Sequence, residues 1–145
     1  IYIKDGIPCQ RPVRELEEKC RLLERKQDML DMKDHPVYQA EISHICDNQF
    51  QAVLGDELVL EYREGRFEMR FKDQEKTSVS AGRGRRYGEL DTLENVKILT
   101  DISSVEVFLN DGQYVFSTRY YPEKADIRIK AHGAEILFKE IVTEN

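Results

Sequence analysis

Two carboxylates, Asp101 and Glu106, are the residues of this sequence whose type and spacing come nearest to enzyme chemistry. They lie five positions apart within residues 101–112, which read DISSVEVFLNDG. Two carboxyl groups held about 5 to 9 Å apart hydrolyse a glycosidic bond when a cleft admits the sugar between them. The pair is therefore the first candidate for acid–base catalysis.

The strand-like pattern around this pair favours a structural role instead. Successive side chains of a β-strand point to opposite faces, so the odd separation directs the two carboxylates apart unless Ser103 and Ser104 form a bulge. Asp101 could accept hydrogen bonds from either serine, and Glu106 could pair with Arg119 on a neighbouring strand. We expect a side-chain network that shapes the core, with no catalytic role.

Other residues with binding potential are scattered. Tyr120 and Tyr121 follow Arg119 directly and form a weak candidate platform for stacking a sugar, although burial under a sheet edge is the preferred interpretation. The three histidines have neither the spacing of metal ligands nor a nucleophile close in sequence. No glycine-rich phosphate loop follows a predicted strand and opens a helix. We predict no catalytic residue, no metal and no cofactor in this chain.

The elements that must position these residues follow the period-two pattern of β-strands. Apolar residues alternate with charged ones on both sides of the turn Glu64-Gly65, which is a two-residue hairpin signal. The pattern returns at residues 96–102, 104–110, 114–119, 127–131 and 134–141. Many short strands at this spacing predict an all-β fold, an antiparallel β-sandwich of two sheets.

The N-terminal part of the chain has a different pattern. Two short strand-like runs surround the turn Asp5-Gly6 and predict a strand pair. Leu16, Cys20 and Leu23 then recur at helical spacing, with acidic residues early and basic residues late, which suits the helix dipole. The pattern predicts one linker helix over residues 14–26, followed by a polar connection.

Composition limits the classes of partner. The chain has 145 residues, of which 40% are hydrophobic and 34% charged, as in a folded globular domain. Its net charge of −6 argues against nucleic acid or an anionic membrane surface as a partner. No apolar run approaches the roughly 18 residues that span a bilayer.

Cysteine usage and the first residues suggest where the chain belongs. Cys9, Cys20 and Cys46 are an odd number without metal-ligand spacing, which predicts free thiols in a reducing compartment and hence a cytoplasmic location. The sequence opens on IYIKDG with neither an initiator methionine nor a signal peptide. We interpret it as a fragment of a longer protein.

Two segments resemble a known family. Residues 5–16 (DGIPCQRPVREL) are similar to the end of the catalytic domain and the linker helix of glycoside hydrolase family 32. Residues 101–112, followed by residues 116–122 (FSTRYYP), resemble the most recognisable motif of the C-terminal β-sandwich of that family. The order of the segments and their separation fit the family.

The resemblance implies a division of the chain and a set of signature residues. Residues 1–33 would be the end of the catalytic domain with the linker helix, and residues 34–145 the C-terminal sandwich. Family members carry a propeller with an Asp nucleophile, a second Asp and a Glu acid/base, but the motifs of these residues are absent from this sequence, so none carries over. The sandwich signature that carries over consists of Asp101, Ser103, Ser104, Glu106, Asn110, Asp111, Gly112 and Arg119.

Two functions of different classes follow from the resemblance. In the first, the chain is the non-catalytic sandwich of an enzyme that cleaves terminal β-fructofuranosides, namely sucrose or sucrose 6-phosphate. Its partner would be its own N-terminal propeller domain, which it would stabilise, with a homo-oligomer as a further option. In the second, the chain is an independent carbohydrate-binding module. An unrelated sandwich that mediates protein contacts is the third possibility.

Overall fold

The computed structural model describes residues 2–4, 7–9, 20–46, 49–72, 85–101, 103–120, 122 and 124–141. Over these residues the chain forms twelve β-strands and no helix, and hence no helix that could cross a membrane. In chain order the strands are β1 (Tyr2–Lys4), β2 (Ile7–Cys9), β3 (Cys20–Met32), β4 (Tyr38–Ser43), β5 (Phe50–Leu54), β6 (Leu58–Arg63), β7 (Arg66–Phe71), β8 (Arg85–Glu89), β9 (Val96–Thr100), β10 (Ser104–Leu109), β11 (Tyr114–Arg119) and β12 (Ile127–Ile141).

Strands β1 and β2 form a two-stranded antiparallel sheet of their own. Tyr2 lies opposite Cys9 and Lys4 opposite Ile7, while the predicted turn Asp5-Gly6 lies outside the described residues. The predicted strand pair at the start of the chain is therefore confirmed.

The other ten strands form one continuous antiparallel sheet that curls into two layers. The order is β11-β10-β9-β4-β12-β5-β6-β7-β8, and β3 pairs with β12 on its other side. Residues 127–130 of β12 pair with β5, whereas residues 135–140 pair with β4. Strand β12 thus passes from one layer to the other, and the predicted antiparallel sandwich is confirmed, with its two sheets sharing a strand.

The passage between the layers is a bend in β12. The register of β12 against β3 shifts between Lys130 and Glu135, and Gly133 within this segment has a φ of 75°. The Gly133 N–H donates a hydrogen bond of 2.6 Å to Asp28 Oδ1 on β3. The bend is consequently fixed by a side chain from the neighbouring strand.

The core lies between the two layers and is built by alternating side chains. Strands β5 and β9 both alternate buried and half-buried residues along their length, as half-buried strands do. The rings of Phe67 on β7 and Phe116 on β11 have centroids 5.0 Å apart. Because β7 and β11 belong to different layers, this contact joins the layers far from the strand that they share.

The predicted linker helix is wrong over residues 20–26, the part of it that the structure describes. Residues 20–26 belong to β3, which extends to Met32 through the predicted connection, while residues 14–19 lie outside the described residues. Strand β3 pairs with β12 from Ile127 to Ile141, about 100 residues further along the chain. Without β3, that side of β12 would carry a row of unpaired N–H and C=O groups.

Side-chain burial also favours a strand over a helix in β3. Leu30 of β3 is only 3% exposed and belongs to the core. Helical spacing of apolar residues reports local preference alone, which tertiary pairing overrides. The division of the chain after residue 33 stays a prediction, although residues 20–32 already contribute a strand to the sandwich.

Candidate functional site

The signature residues lie on strands β10 and β11 and on the turns at the two ends of β10. The first turn is closed by main-chain hydrogen bonds. Asp101 N–H donates to the Ser104 carbonyl oxygen at 2.9 Å, and Tyr120 N–H donates to the Ser103 carbonyl oxygen at 3.1 Å. Asp101 and Ser103 therefore shape the step from β9 to β10 and tie it to the end of β11.

The two candidate carboxylates, those of Asp101 and Glu106, occupy different elements. Asp101 lies in the turn, while Glu106 lies on β10, so their odd separation no longer sets their relative direction. Both side chains are exposed. On the hairpin, Glu106 stands opposite Ser117 and Arg119 stands opposite Ser104. No ion pair joins Glu106 and Arg119, both of which lie in the described part of the chain.

Asn110 makes hydrogen bonds through both its side chain and its main chain. Its Oδ1 accepts a hydrogen bond from Glu94 N–H at 2.8 Å, and its Nδ2 donates to the Thr92 carbonyl oxygen at 2.8 Å. Its main-chain N–H donates to the Asn95 carbonyl oxygen at 2.9 Å. One residue thus fastens the turn after β10 to the segment that precedes β9.

The contact between the two segments is reciprocal. Asn95 Oδ1 accepts a hydrogen bond of 2.9 Å from Asp111 N–H. Asp111 has a φ of 59° and Gly112 a φ of 90°, and Gly112 N–H closes the turn onto the Leu109 carbonyl oxygen at 3.1 Å. Sequence reasoning missed Asn95; the available signal was an amide residue directly before a predicted strand.

Tyr120 is buried at one end of the sandwich. Its side chain is 4% exposed, and a Cβ placed on Gly55 would lie 2.3 Å from its hydroxyl oxygen. Burial, with smaller contributions from the charges of Asp126 and Glu57, raises the pKa of Tyr120 above its ordinary value. In this position its ring has no exposed face for a sugar, and Tyr121 lies outside the described residues. A sugar contact by these two tyrosines stays a prediction.

Exposed aromatic rings occur elsewhere in the described ranges. Tyr87 on β8 is 59% exposed and Tyr114 on β11 is 37% exposed. The guanidinium carbon of Arg66 lies 4.0 Å from the centre of the Tyr87 ring. Sequence reasoning missed both tyrosines because exposure depends on which strands end at the open edges of the layers.

Several carboxylates in the described ranges form ion pairs with basic neighbours. Glu41 lies 2.8 Å from Lys139 Nζ and 3.5 Å from Lys97 Nζ. Partial burial alone would raise the pKa of Glu41, but the two lysines outweigh it and lower that pKa below its ordinary value. A general acid requires the opposite shift, because it must carry its proton near neutral pH.

Asp56 shows the same arrangement on the other layer. Its Oδ1 lies 3.2 Å from Lys72 Nζ and 3.3 Å from a guanidinium nitrogen of Arg128. The hydrogen bond from Lys72 and the charge of that residue lower the pKa of Asp56. Glu61 is likewise 3.4 Å from Arg70. These carboxylates are partners in ion pairs that bridge strands.

Metal binding finds no support in the described ranges. They contain no group of three His, Cys, Asp or Glu side chains close enough together to hold a metal ion. Cys46 is free and exposed, with its Sγ 3.6 Å from the His44 carbonyl oxygen.

Comparison with known proteins decides the family. Residues 57–143 match the family described as "Glycosyl hydrolases family 32 C terminal". The chain belongs to this family. The match begins just before β6 and includes the whole signature from residue 101 to residue 119, so the resemblance inferred from these residues is confirmed.

Relatives of this family 32 domain agree in sequence and in fold. The raffinose invertase of Escherichia coli is 34% identical over an alignment of 156 positions that covers 94% of this chain and 32% of that protein. The structure of sucrose-6-phosphate hydrolase from Lactobacillus gasseri superposes with a TM-score of 0.80 at 18% identity, covering 97% of this chain and 32% of that one.

A second solved structure shows the same fold. The glycoside hydrolase family 32 protein from Bifidobacterium adolescentis has a TM-score of 0.75 at 18% identity, covering 97% of this chain and 24% of that one. At these identities the superpositions establish the sandwich fold alone. The family 32 domain described here spans about a third or less of the length of each of these relatives.

Proposed function

We propose that this chain is the non-catalytic C-terminal sandwich of an enzyme that cleaves terminal β-fructofuranosides, with sucrose or sucrose 6-phosphate as its substrate. Its role is to pack against the catalytic propeller domain of the same protein and to stabilise it. The observation that carries the proposal is the match of residues 57–143 to the C-terminal domain of family 32.

The relatives support the choice of reaction and of partner. The raffinose invertase is named for its action on a sugar, and this chain matches only 32% of its length. The remaining length of such a relative can hold a separate catalytic domain, since domains are typically 50–250 residues long. A domain of this kind would be the natural partner of the sandwich.

The state of the carboxylates supports a non-catalytic role. Hydrolysis of a glycosidic bond needs one carboxyl group with a raised pKa as acid and a second, ionised one close by. Glu41 and Asp56, whose pKa values are lowered, are instead paired with lysine or arginine side chains. Both are suited to holding strands together.

The proposal is tested by separating the chain from the rest of its gene product. We expect the purified 145-residue chain to release no fructose from sucrose or from sucrose 6-phosphate. The full-length product should hydrolyse one of these sugars. A truncated product without the residues of this chain should lose activity faster on heating, and added chain should slow that loss.

Two results would contradict the proposal. Measurable turnover by the isolated chain would show that it carries catalytic groups of its own. A truncated product as heat-stable as the full-length one would remove the stabilising role. Serum albumin at the same protein concentration is the control for non-specific protection.

Location and assembly are further parts of the proposal. We place the protein in the cytoplasm because its three cysteines are an odd number without metal spacing, and we allow for a homo-oligomer. Cell fractionation with an antibody against the chain tests the location, and recovery in the secreted fraction would refute it. Light scattering after size exclusion gives the assembly state, and a monomeric full-length protein would exclude the oligomer.

A further inference from the structure

A groove with a volume of about 750 Å³ lies where the turn between β6 and β7, the segment after β8 and the turn between β10 and β11 meet. Arg66 and Glu89 line one part of it, and Tyr114 and Gln113 another. The volume is in the range of sites that bind small molecules. Of the signature residues, only Asn110 lines this groove, where it forms part of the wall.

The floor of the groove is held on both sides by hydrogen bonds. The Tyr62 hydroxyl donates to the Leu90 carbonyl oxygen at 2.6 Å, and Leu90 N–H donates to the Gly65 carbonyl oxygen at 3.0 Å. On the other side, Asn110 Nδ2 donates to the Thr92 carbonyl oxygen at 2.8 Å. A ligand would therefore meet a groove that is already formed, which lowers the entropy cost of binding.

The wall of the groove offers the surfaces that sugar rings require. Tyr114 is 37% exposed and presents an aromatic ring, whose face can pack against the C–H groups of a sugar. Arg66 supplies planar N–H donors, and Glu89 stands opposite it on β8 as an acceptor. Such flat polar side chains can hydrogen-bond neighbouring hydroxyl groups of one sugar.

Tyr87 holds in place the Arg66 side chain, which is the hydrogen-bond donor named above. Its ring lies beneath the Arg66 guanidinium at 4.0 Å, a cation–π contact that restrains a side chain which would otherwise be mobile in solvent. Tyr87 is thus a positioning residue beside the groove, whereas Tyr114 would touch the ligand.

The charge of the groove selects among sugars. Three carboxylates, those of Glu64, Glu89 and Asp91, face one guanidinium, that of Arg66, which leaves a net charge of −2. A phosphorylated sugar would be repelled by this excess, while a neutral sugar can donate its hydroxyl protons to the same carboxylates. Among sugars, a neutral one therefore fits this groove better than a phosphorylated one.

We propose that this groove is a binding site for a neutral oligosaccharide, with the Tyr114 ring as its stacking surface and Arg66 and Glu89 as hydrogen-bonding partners. The choice of a β-fructofuranosyl oligosaccharide among neutral sugars rests on the proposed function. The groove binds sugar without cleaving it.

Titration of the ¹⁵N-labelled 145-residue chain with a neutral β-fructofuranosyl tetrasaccharide tests the site. We expect millimolar binding, with amide shifts at residues 64–66, 89–92 and 110–114. Tyr114→Ala should weaken binding about tenfold, in line with the contribution of one aromatic contact, while Tyr114→Phe should keep it. Val115→Ala, an exposed apolar change at the next position of the same strand, should leave binding unchanged.

The role of Tyr87 has its own test. Tyr87→Ala should weaken binding about threefold, and Tyr87→Phe should restore it because the ring beneath Arg66 returns. Absence of tetrasaccharide binding, or equal binding by wild type and Tyr114→Ala, would overturn the site. Equal effects of Tyr87→Ala and Tyr87→Phe would overturn the positioning role.

Two further ligands separate this inference from the proposed function. Sucrose 6-phosphate should bind more weakly than sucrose, and equal or tighter binding would overturn the selection by charge. A neutral glucan tetrasaccharide that binds as well as the fructosyl one would overturn the choice of sugar but not the groove. Neither result bears on the fructosidase assay of the full-length product, so failure of the groove can be distinguished from failure of the proposed function.

Discussion

The Asn110 side chain connects the turn after β10 to the segment that precedes β9. Its Oδ1 and Nδ2 satisfy Glu94 N–H and the Thr92 carbonyl oxygen, two main-chain groups of a segment that has no strand partner there. Its own backbone has a φ of 50°, a conformation that Asn tolerates better than most residues. The same residue therefore supplies both the turn and the fastening.

Replacement of Asn110 should separate these two contributions. We expect Asn110→Ala to lower the free energy of unfolding by about 2–3 kcal/mol, because two main-chain groups lose their partner and Ala is strained at positive φ. Asn110→Gly should cost about 1 kcal/mol less, since only the strain is relieved. Urea unfolding followed by circular dichroism measures both values. Losses below about 0.5 kcal/mol in both variants would contradict this account.

Gly55 and Gly65 form a matched pair for testing close packing against backbone strain. Both have positive φ, 59° and 79°, so a side chain at either position carries a similar conformational cost of about 1–2 kcal/mol. A Cβ on Gly55 would also lie 2.3 Å from the Tyr120 hydroxyl and 2.9 Å from the Lys124 carbonyl oxygen. At Gly65 the nearest such atom is 3.8 Å away.

Gly55→Ala should consequently be more destabilising than Gly65→Ala, by about 2 kcal/mol or more, because overpacking adds to the strain. Thermal unfolding of the two variants at the same pH gives the comparison. If Gly55→Ala also carried Tyr120→Phe, which removes the clashing oxygen, part of the loss should return. Equal melting temperatures for the two alanine variants would show that the end of the sandwich relaxes freely.

Strands whose evidence is local were predicted well, and the strand whose partner is distant was not. The hairpin of β6 and β7 was predicted because both strands alternate and Glu64-Gly65 is a two-residue turn signal, and both turn residues have positive φ, 53° and 79°. Residues 20–26 of β3 were predicted as the end of a helix because the spacing of Leu16, Cys20 and Leu23 is helical, and the rest of β3 was predicted as a connection. The partner that decides the matter, β12, lies about 100 residues further along the chain, beyond any local pattern.

Pairing between strands also predicts how the sandwich responds to acid. Glu41 on β4 is held by Lys97 on β9 and Lys139 on β12, so three neighbouring strands share one carboxylate. Its pKa is lowered in the folded chain, which means that unfolding takes up a proton in acid. The ion pairs therefore stabilise the fold above about pH 4.3, the ordinary value for Glu, and this contribution is lost as pH falls through the lowered pKa.

We expect Glu41→Gln to be less stable than wild type near neutral pH, by about 1 kcal/mol or less, as for partly exposed ion pairs. The difference should shrink and disappear as the pH is lowered from about 4.3. Urea midpoints between pH 3 and pH 7 measure it. Glu106→Gln, which removes an exposed carboxylate from the same layer, controls for the change in net charge. A difference that is constant over this pH range would contradict the assigned ion pairs.

The site was only partly predictable because some of its contacts and exposures depend on the complete sandwich. The signature stretch was located from its residues, but the partner of Asn110, which is Asn95, depends on how the turn after β10 meets the segment before β9. Exposure of Tyr87 and Tyr114 depends in turn on which strands end the two layers. These contacts and exposures arise only when the strands assemble into the sandwich. They cannot be predicted from the alternation of residues along single strands.

Because β12 and β3 pass through both layers, the sandwich should unfold as one unit. The chain contains no tryptophan, so single reporters can be placed by Val115→Trp on β11 in one layer and Val53→Trp on β5 in the other. We expect coincident urea midpoints from the two fluorescence signals. Leu58→Ala, a cavity in the layer of β5, should lower both midpoints equally, at a cost of about 2–5 kcal/mol. Two midpoints that separate in this variant would mean that the layers unfold independently, and that the shared strand does not couple them.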